Sequence, residues 1–261
     1  MLGVTLNESE IIDNALTGNY DRDKIVIVIN LLIKYYYKQG AEDKLILSEK
    51  ILDFLKKYYK NYKRAKWEAT INKKVSKYLN LVKRKKINVQ IIDIQQIGIT
   101  KEELKVISSL DDIKLEKIAF IMLVYAKIST VIIETNEGWI NTSYNMICKE
   151  AKVNLPNIEK LKLFNALYKE GYIQQQKKNN KTNIKVCYIN NDSDIEIVIN
   201  DFEGVIYQYL MWKGERWKQC EECGKWIKIH KDSNKIKHCS KCAKEVLQQQ
   251  WRENKRKQRK K

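Results

Sequence analysis

The chain has 261 residues, with 50 Lys and Arg against 32 Asp and Glu, and this composition excludes several classes of protein. One Pro and nine Gly argue against a turn-rich β-sandwich or a collagen-like chain and favour long helices. The chain contains no run of about 18 apolar residues, so no transmembrane helix is predicted. The first residues lack the basic and apolar stretches of a secretory signal, so we expect a cytoplasmic protein without a membrane partner.

The excess positive charge lies in two segments. Residues 56–86 carry 13 basic and one acidic side chain, and residues 215–261 carry 16 and six, whereas residues 1–55 and 87–214 are slightly acidic. AT-rich codons would raise lysine everywhere, but they would not concentrate it. Concentrated basic segments are typical of polyanion-binding proteins, because each neutralised phosphate releases counterions. Solvated lysine faces are the alternative.

Residues 1–96 predict a helical domain. Asn7 and Glu10 have the spacing of a capping box. The length of the apolar stretch 24–38 favours a buried helix over a strand. Ser48 is placed to cap a further helix.

The basic segment 56–86 contains a predicted amphipathic helix over residues 64–85. Apolar side chains recur at i, i+4 spacing from Trp67 to Val82, and the opposite face is basic. We expect these basic side chains to bind nucleic acid: Lys66, Lys73, Lys74, Lys77, Lys83 and Arg84.

Residues 97–214 predict a winged-helix-like domain. Thr100 and Glu103 form a second capping box, and the apolar stretch 114–128 predicts a central buried helix.

The order of elements that follows is that of a winged helix. A helix capped by Asn141 or Thr142 precedes a second helix from Pro156 to Gly171, and two strand-like stretches separated by a polar loop predict a β-hairpin.

The second of these helices is the candidate recognition helix. We expect its buried side to comprise Ile158, Leu161, Phe164 and Tyr168. The candidate DNA contacts are Lys160, Lys162, Asn165 and Lys169 on the helix, with Lys177, Lys178 and Lys181 on the hairpin. Winged helices also serve as protein-interaction modules, so this alternative stays open.

Residues 215–247 predict a four-Cys zinc ribbon. The spacing C-x2-C-x15-C-x2-C of Cys220, Cys223, Cys239 and Cys242 is typical of a structural Zn²⁺ site. Disulfides do not suit a cytoplasmic chain. An HNH-type nuclease would need a His doublet or an Asp-His pair, and the intervening segment offers only His230, Asn234 and His238.

The other two cysteines, Cys148 and Cys187, lie in apolar stretches and predict buried thiols. Residues 248–261 predict a basic tail, helical or disordered, whose candidate nucleic-acid contacts are Arg252, Lys255, Arg256 and Arg259.

An enzymatic alternative depends on carboxylates. Asp192, Asp194 and Glu196 alternate, so on a strand they would share one face and could hold Mg²⁺. The polar face of an edge strand is the simpler account of them, and we prefer it. We therefore expect no catalytic activity, with a metal-dependent nuclease as the remaining enzymatic possibility.

From about residue 97 to the end, the chain resembles an uncharacterised family in prophages and mobile elements of low-GC Gram-positive bacteria. The resemblance rests on ITKEELKVISSL, IAFIMLVYAK, WINTS…LYKEGYI and CEECGKWIK…KHCSKCAKE. It implies a bacterial host cell and a winged helix followed by a zinc ribbon, but no reaction and no catalytic residues.

The sequence thus predicts a mainly α protein that binds nucleic acid, DNA rather than RNA, as a regulator or accessory factor of a mobile element. The alternative is a protein-interaction module that inhibits a host nucleic-acid machine such as a defence nuclease.

Overall fold

The computed structural model describes residues 6–84, 89–178, 181–230 and 236–258, and these residues are mainly helical. The chain divides into two units between Gln95 and Gln96. None of the helices described combines the length and apolar character needed to cross a bilayer.

The helices of the described residues are α1 (Glu8–Leu16), α2 (Ile25–Lys38), α3 (Lys44–Tyr58), α4 (Arg64–Lys83), α5 (Lys101–Ser108), α6 (Ile113–Ile132), α7 (Tyr144–Glu150), α8 (Asn157–Lys169), α9 (Ile206–Trp212) and α10 (Ser240–Gln258). The strands are β1 (Ile97–Thr100), β2 (Trp139–Ile140), β3 (Ile173–Lys178), β4 (Lys181–Val186), β5 (Ile195–Ile199), β6 (Trp217–Gln219) and β7 (Trp226–Lys228).

The first unit packs α1 to α4 around one hydrophobic core. Ile29 of α2, Leu47 of α3 and Ile71 of α4 are completely buried in it. The predicted helices over residues 24–38 and 64–85 are confirmed as α2 and α4.

The start of α3 differs from the prediction. Asp43 caps the helix, because its side chain accepts hydrogen bonds from the backbone N–H groups of Leu45 (2.8 Å) and Ile46 (3.1 Å). Ser48 therefore lies inside the helix, where its hydroxyl is buried and has no hydrogen-bond partner among the described residues. The prediction that Ser48 caps α3 was wrong because a better-placed capping residue, Asp43, lies five residues earlier.

A buried ion pair joins α1 to α2. The Lys34 ammonium lies 2.6 Å from the Glu8 carboxylate, which also accepts a hydrogen bond from the backbone N–H of Ile92 (2.8 Å). The predicted capping box at Asn7 is not formed: this residue precedes α1, but its side chain donates to Glu10 and caps no backbone group.

The second unit is built around α6. Every residue from Ile118 to Ile128 is buried, which confirms the central helix predicted over residues 114–128. β1 and β5 pair antiparallel, and β1 packs against α6.

Glu103 connects three parts of this unit. The capping box with Thr100 is complete, as predicted. The same carboxylate accepts hydrogen bonds from the Lys127 ammonium of α6 (2.8 Å) and from the backbone N–H of Asn190 (2.9 Å). The Lys127 ammonium also donates to the carbonyl oxygen of Gly98. A completely buried carboxylate thereby has hydrogen-bond partners on both oxygens.

Between α6 and β5 lie two helices and a three-stranded sheet. The order of the antiparallel strands is β2-β4-β3, with α7 and α8 between β2 and β3 in the chain. The hydroxyl of Ser143 caps α7, whereas we expected Asn141 or Thr142 to do so. Pro156 directly precedes α8, and Gly171, with a φ of 80°, follows its end.

The packed side of α8 agrees with the prediction only at Phe164. Phe164 and Leu167 are buried against the unit, but Ile158, Leu161 and Tyr168 are at least half exposed. The helix carries two apolar stripes, and α7 and β3 cover the one that contains Phe164 and Leu167. Helical spacing alone does not tell which of two stripes is covered.

Two further differences concern the C-terminal half. Cys148 is buried as expected, but Cys187 is exposed. α10 continues through residue 248, where we expected a separate tail to begin.

Candidate metal centre and basic surfaces

Four cysteines lie together at the junction of a β-hairpin and a helix. Cys220 and Cys223 lie in the turn between the paired strands β6 and β7. Cys239 immediately precedes α10 and Cys242 lies in its first turn. The second pair therefore begins a helix, whereas a ribbon would place it on another hairpin.

The distances between the sulfur atoms fit a tetrahedral metal site. All four Sγ atoms lie within 4.8 Å of one another, and those of Cys223 and Cys239 are 3.8 Å apart. A tetrahedral centre with metal–sulfur bonds of about 2.3 Å separates its sulfurs by about 3.8 Å. Four protein ligands would leave no position open for water or substrate, so a metal ion held here would be structural.

The backbone around the cluster favours thiolates at two of the four positions. Burial raises the pKa of the Cys220 thiol, but hydrogen bonds from the backbone N–H groups of Cys239, Cys223 and Glu222 outweigh it and lower this pKa to about 6. A backbone hydrogen bond from Cys242 lowers the pKa of Cys239. Hydrogen bonding to the sulfurs of Cys223 and Cys239 raises the pKa of Cys242, so a cation is needed to hold all four as thiolates.

An aromatic cluster fixes the β6–β7 hairpin to the segment around α9. The Tyr207 ring lies between those of Trp217 and Trp226, at centroid distances of 4.6 and 5.0 Å. The Trp226 indole N–H donates to the carbonyl oxygen of Glu203. Gly204 has a φ of 74°, and a Cβ there would lie 2.5 Å from Trp226. Sequence reasoning missed this cluster, because its residues pair only in the folded chain.

The basic surface of α4 lies opposite its buried side. Lys66, Lys73, Lys77 and Arg84 are exposed and follow one another at intervals of seven, four and seven residues, which are close to whole helical turns. We call these four residues the α4 basic stripe. The three lysines form no ion pair with any described residue.

Two of the α4 residues expected to bind nucleic acid lie outside this stripe. Lys74 is half-buried, and its ammonium donates to the Asn30 side chain at 3.0 Å. Lys83 is exposed, but it lies on a different side of the helix.

The candidate contacts on α8 are not equivalent. Lys162, Asn165 and Lys169 are exposed. Lys160 is half-buried, and its ammonium donates to the side chain of Asn145 at the start of α7. The side chains predicted to contact DNA from the hairpin lie outside the described part of the chain: Lys177, Lys178 and Lys181.

The end of α10 presents two of the predicted cations. Arg252 and Lys255 are exposed, and the Lys255 ammonium lies 3.9 Å from the centroid of the exposed Trp251 ring. The Arg256 side chain and the whole of Arg259 fall outside the described residues.

The acidic residues considered as Mg²⁺ ligands do not share a strand face. Asp192 and Asp194 precede β5, and only Glu196 lies in it. Asp194 pairs with Lys101 at 3.3 Å, and Glu196 accepts a hydrogen bond from the Trp212 indole. Within the described ranges, the four cysteines are the one group found that could hold a metal ion.

No family model, curated protein or solved structure matches this chain. The resemblance to a mobile-element family therefore stays a prediction, and the proposals below depend on the residues themselves.

Proposed function

We propose that the protein binds nucleic acid, duplex DNA in preference to RNA, without catalysing a reaction, as a regulator or accessory factor of a phage or mobile element. The observation that carries this proposal is the α4 basic stripe, whose cations are exposed and aligned.

The stripe has the dimensions of a phosphate-contacting surface. Its first and last residues, Lys66 and Arg84, are 18 positions apart, which is about 27 Å along a helix with a rise of 1.5 Å per residue. Ile71 and Val75 anchor the opposite side of α4 in the core, so the cations project from a fixed support. Because the backbone of α4 is already ordered, binding of a polyanion would cost only the rotamer entropy of these side chains.

The second unit supplies further support. The strand order β2-β4-β3 with α7 and α8 inserted suits a winged helix, a fold that serves DNA binding in some proteins and protein interaction in others. Four thiolates are the donor set that Zn²⁺ prefers, and Zn²⁺ bound by Cys220, Cys223, Cys239 and Cys242 would fix the start of α10. The exposed Arg252 and Lys255 would then contribute phosphate contacts.

A charge-matched comparison tests the proposal. One variant carries Lys66→Gln, Lys73→Gln and Lys77→Gln, and its control carries Gln at three lysines of α2 and α3 that are also exposed and lie outside the basic segment 56–86: Lys38, Lys44 and Lys50. Fluorescence anisotropy measures the affinity of each full chain for a random duplex, a single strand and an RNA, between about 50 and 300 mM salt.

Each lost phosphate contact reduces the slope of log K against log salt by about 0.9, so the stripe variant should lose between two and three units of slope. The control should keep the slope of the original chain, because its lysines lie off the stripe. Equal slopes for the two variants, or an affinity for duplex DNA that does not change with salt, would overturn the proposal.

A further inference from the structure

α8 exposes a row of side chains that is separate from its packed side. Ile158 is 68% exposed, and Leu161 and Tyr168 are each 50% exposed, whereas Phe164 and Leu167 are buried. Asn165 is also exposed and lies between the last two members of the row. We call Ile158, Leu161, Asn165 and Tyr168 the α8 seam. An apolar row of this length on a surface helix is typical of an interaction site.

The spacing of the seam points to a helix as its occupant. Its members follow one another at intervals of three, four and three residues, which are the a and d positions of a heptad repeat. Such a row packs knobs-into-holes against a second helix. In a coiled coil a single Asn at an a position, which Asn165 would be here, specifies the register and the oligomeric state. A nucleic acid would leave Ile158 and Leu161 uncovered, because its phosphates are charged and its base edges offer apolar groups only at thymine methyls.

The charges beside the seam distinguish between possible helices. Lys162 and Lys169 each follow a d residue, occupy e positions, are exposed and form no ion pair with any described residue. An antiparallel second copy of α8 would bring these lysines against each other. In a parallel copy they would face Asn157 and Phe164, neither of which carries a charge.

We propose that the α8 seam docks an amphipathic helix of another protein, whose apolar a and d residues are flanked by Asp or Glu. Apolar packing along the seam provides the contact area, and the pairing of carboxylates with Lys162 and Lys169 sets the specificity. This interaction does not depend on nucleic-acid binding by α4.

Two synthetic peptides of about 21 residues, or three heptads, test the proposal. Both carry Leu and Ile at the a and d positions with one central Asn, but one has Glu and the other has Lys at the flanking positions. Binding to the metal-loaded full chain is measured by calorimetry. The Glu peptide should bind at least about tenfold more tightly than the Lys peptide, because only the Glu peptide neutralises the flanking lysines.

Leu161→Asp, at a half-exposed position, should lower the affinity for the Glu peptide by at least about tenfold. Leu247→Asp is the matched control, because Leu247 is a 64% exposed leucine on α10, and it should leave the affinity unchanged. Lys162→Glu with Lys169→Glu should reverse the preference between the two peptides. The salt-dependent affinity for duplex DNA should stay the same in the Leu161→Asp variant, which separates this proposal from that for α4.

Four results would overturn the inference. These are equal binding of the two peptides, binding of neither, binding that Leu161→Asp leaves intact, and self-association of the chain that Leu161→Asp abolishes in sedimentation. The last result would assign the seam to a second copy. A loss of duplex affinity in Leu161→Asp without a loss of peptide affinity would assign it to DNA instead.

Discussion

Replacing Glu103 by Gln should destabilise the second unit strongly. The carboxylate is completely buried, and its two oxygens accept hydrogen bonds from Lys127, from Thr100 and from Asn190. An amide must turn its NH2 group towards at least one of these donors, and it leaves the Lys127 ammonium buried without a counter-charge. Removal of one partner of a buried ion pair costs about 3–5 kcal/mol, so we expect a loss of that size in the free energy of unfolding.

The assay is urea unfolding of the metal-loaded full chain, followed by Trp fluorescence. Five of the six Trp residues lie after residue 96, so the signal reports mainly on the second unit. Glu102→Gln is the control, because Glu102 is exposed and pairs only loosely with Lys105, at 3.9 Å. It should change the free energy of unfolding by less than about 0.5 kcal/mol.

A double variant sharpens the test. Adding Lys127→Met to Glu103→Gln removes both charges, so the combined loss should be smaller than the sum of the two single losses. Strict additivity, or a loss for Glu103→Gln no larger than that for Glu102→Gln, would refute the conclusion that this ion pair fixes α6 to the start of α5.

Three further predictions concern the metal centre, a helix cap and a close contact. Cys220→Ser should abolish binding of one equivalent of Zn²⁺, measured with a chromogenic chelator, whereas Cys148→Ser should retain it; retention by both would exclude the four-thiolate site. Asp43→Ala should cost about 1 kcal/mol of stability, and Ser48→Ala should cost less, because only Asp43 caps α3; the reverse order in thermal unfolding would contradict the assignment. Gly204→Ala should destabilise the chain by at least about 1 kcal/mol in the same assay, through its positive φ and its contact with an indole ring, and no change would count against that contact.

Two features of the second unit were predicted correctly from short sequence motifs that have one simple structural interpretation. Thr100 and Glu103 have the three-residue spacing of a capping box, and the capping box forms as expected. The four-Cys spacing likewise identified side chains that the fold brings together. Both motifs are defined by the number of residues between their members, which can be read directly from the sequence.

Other features required information that the sequence does not carry locally. α8 has two apolar stripes, and only the positions of α7 and β3 decide that Leu167 is covered and Leu161 is not. The buried Glu8–Lys34 pair joins residues 26 positions apart, and nothing in either neighbourhood marks them as partners. The start of α3 was misplaced because Asp43 and Ser48 are both good capping residues, and the better-placed one is used.

Because α10 is anchored only near its start, a small rotation there would displace its far end by several ångströms. Beyond Val246 its described side chains are exposed, so the start of the helix, where Cys239 precedes it and Cys242 lies in its first turn, sets the direction of the whole helix. Nineteen residues extend about 28 Å, and a rotation of about 10° at the thiolates would displace the far end by about 5 Å. Small changes in sulfur geometry would thus be amplified into the placement of Arg252 and Lys255.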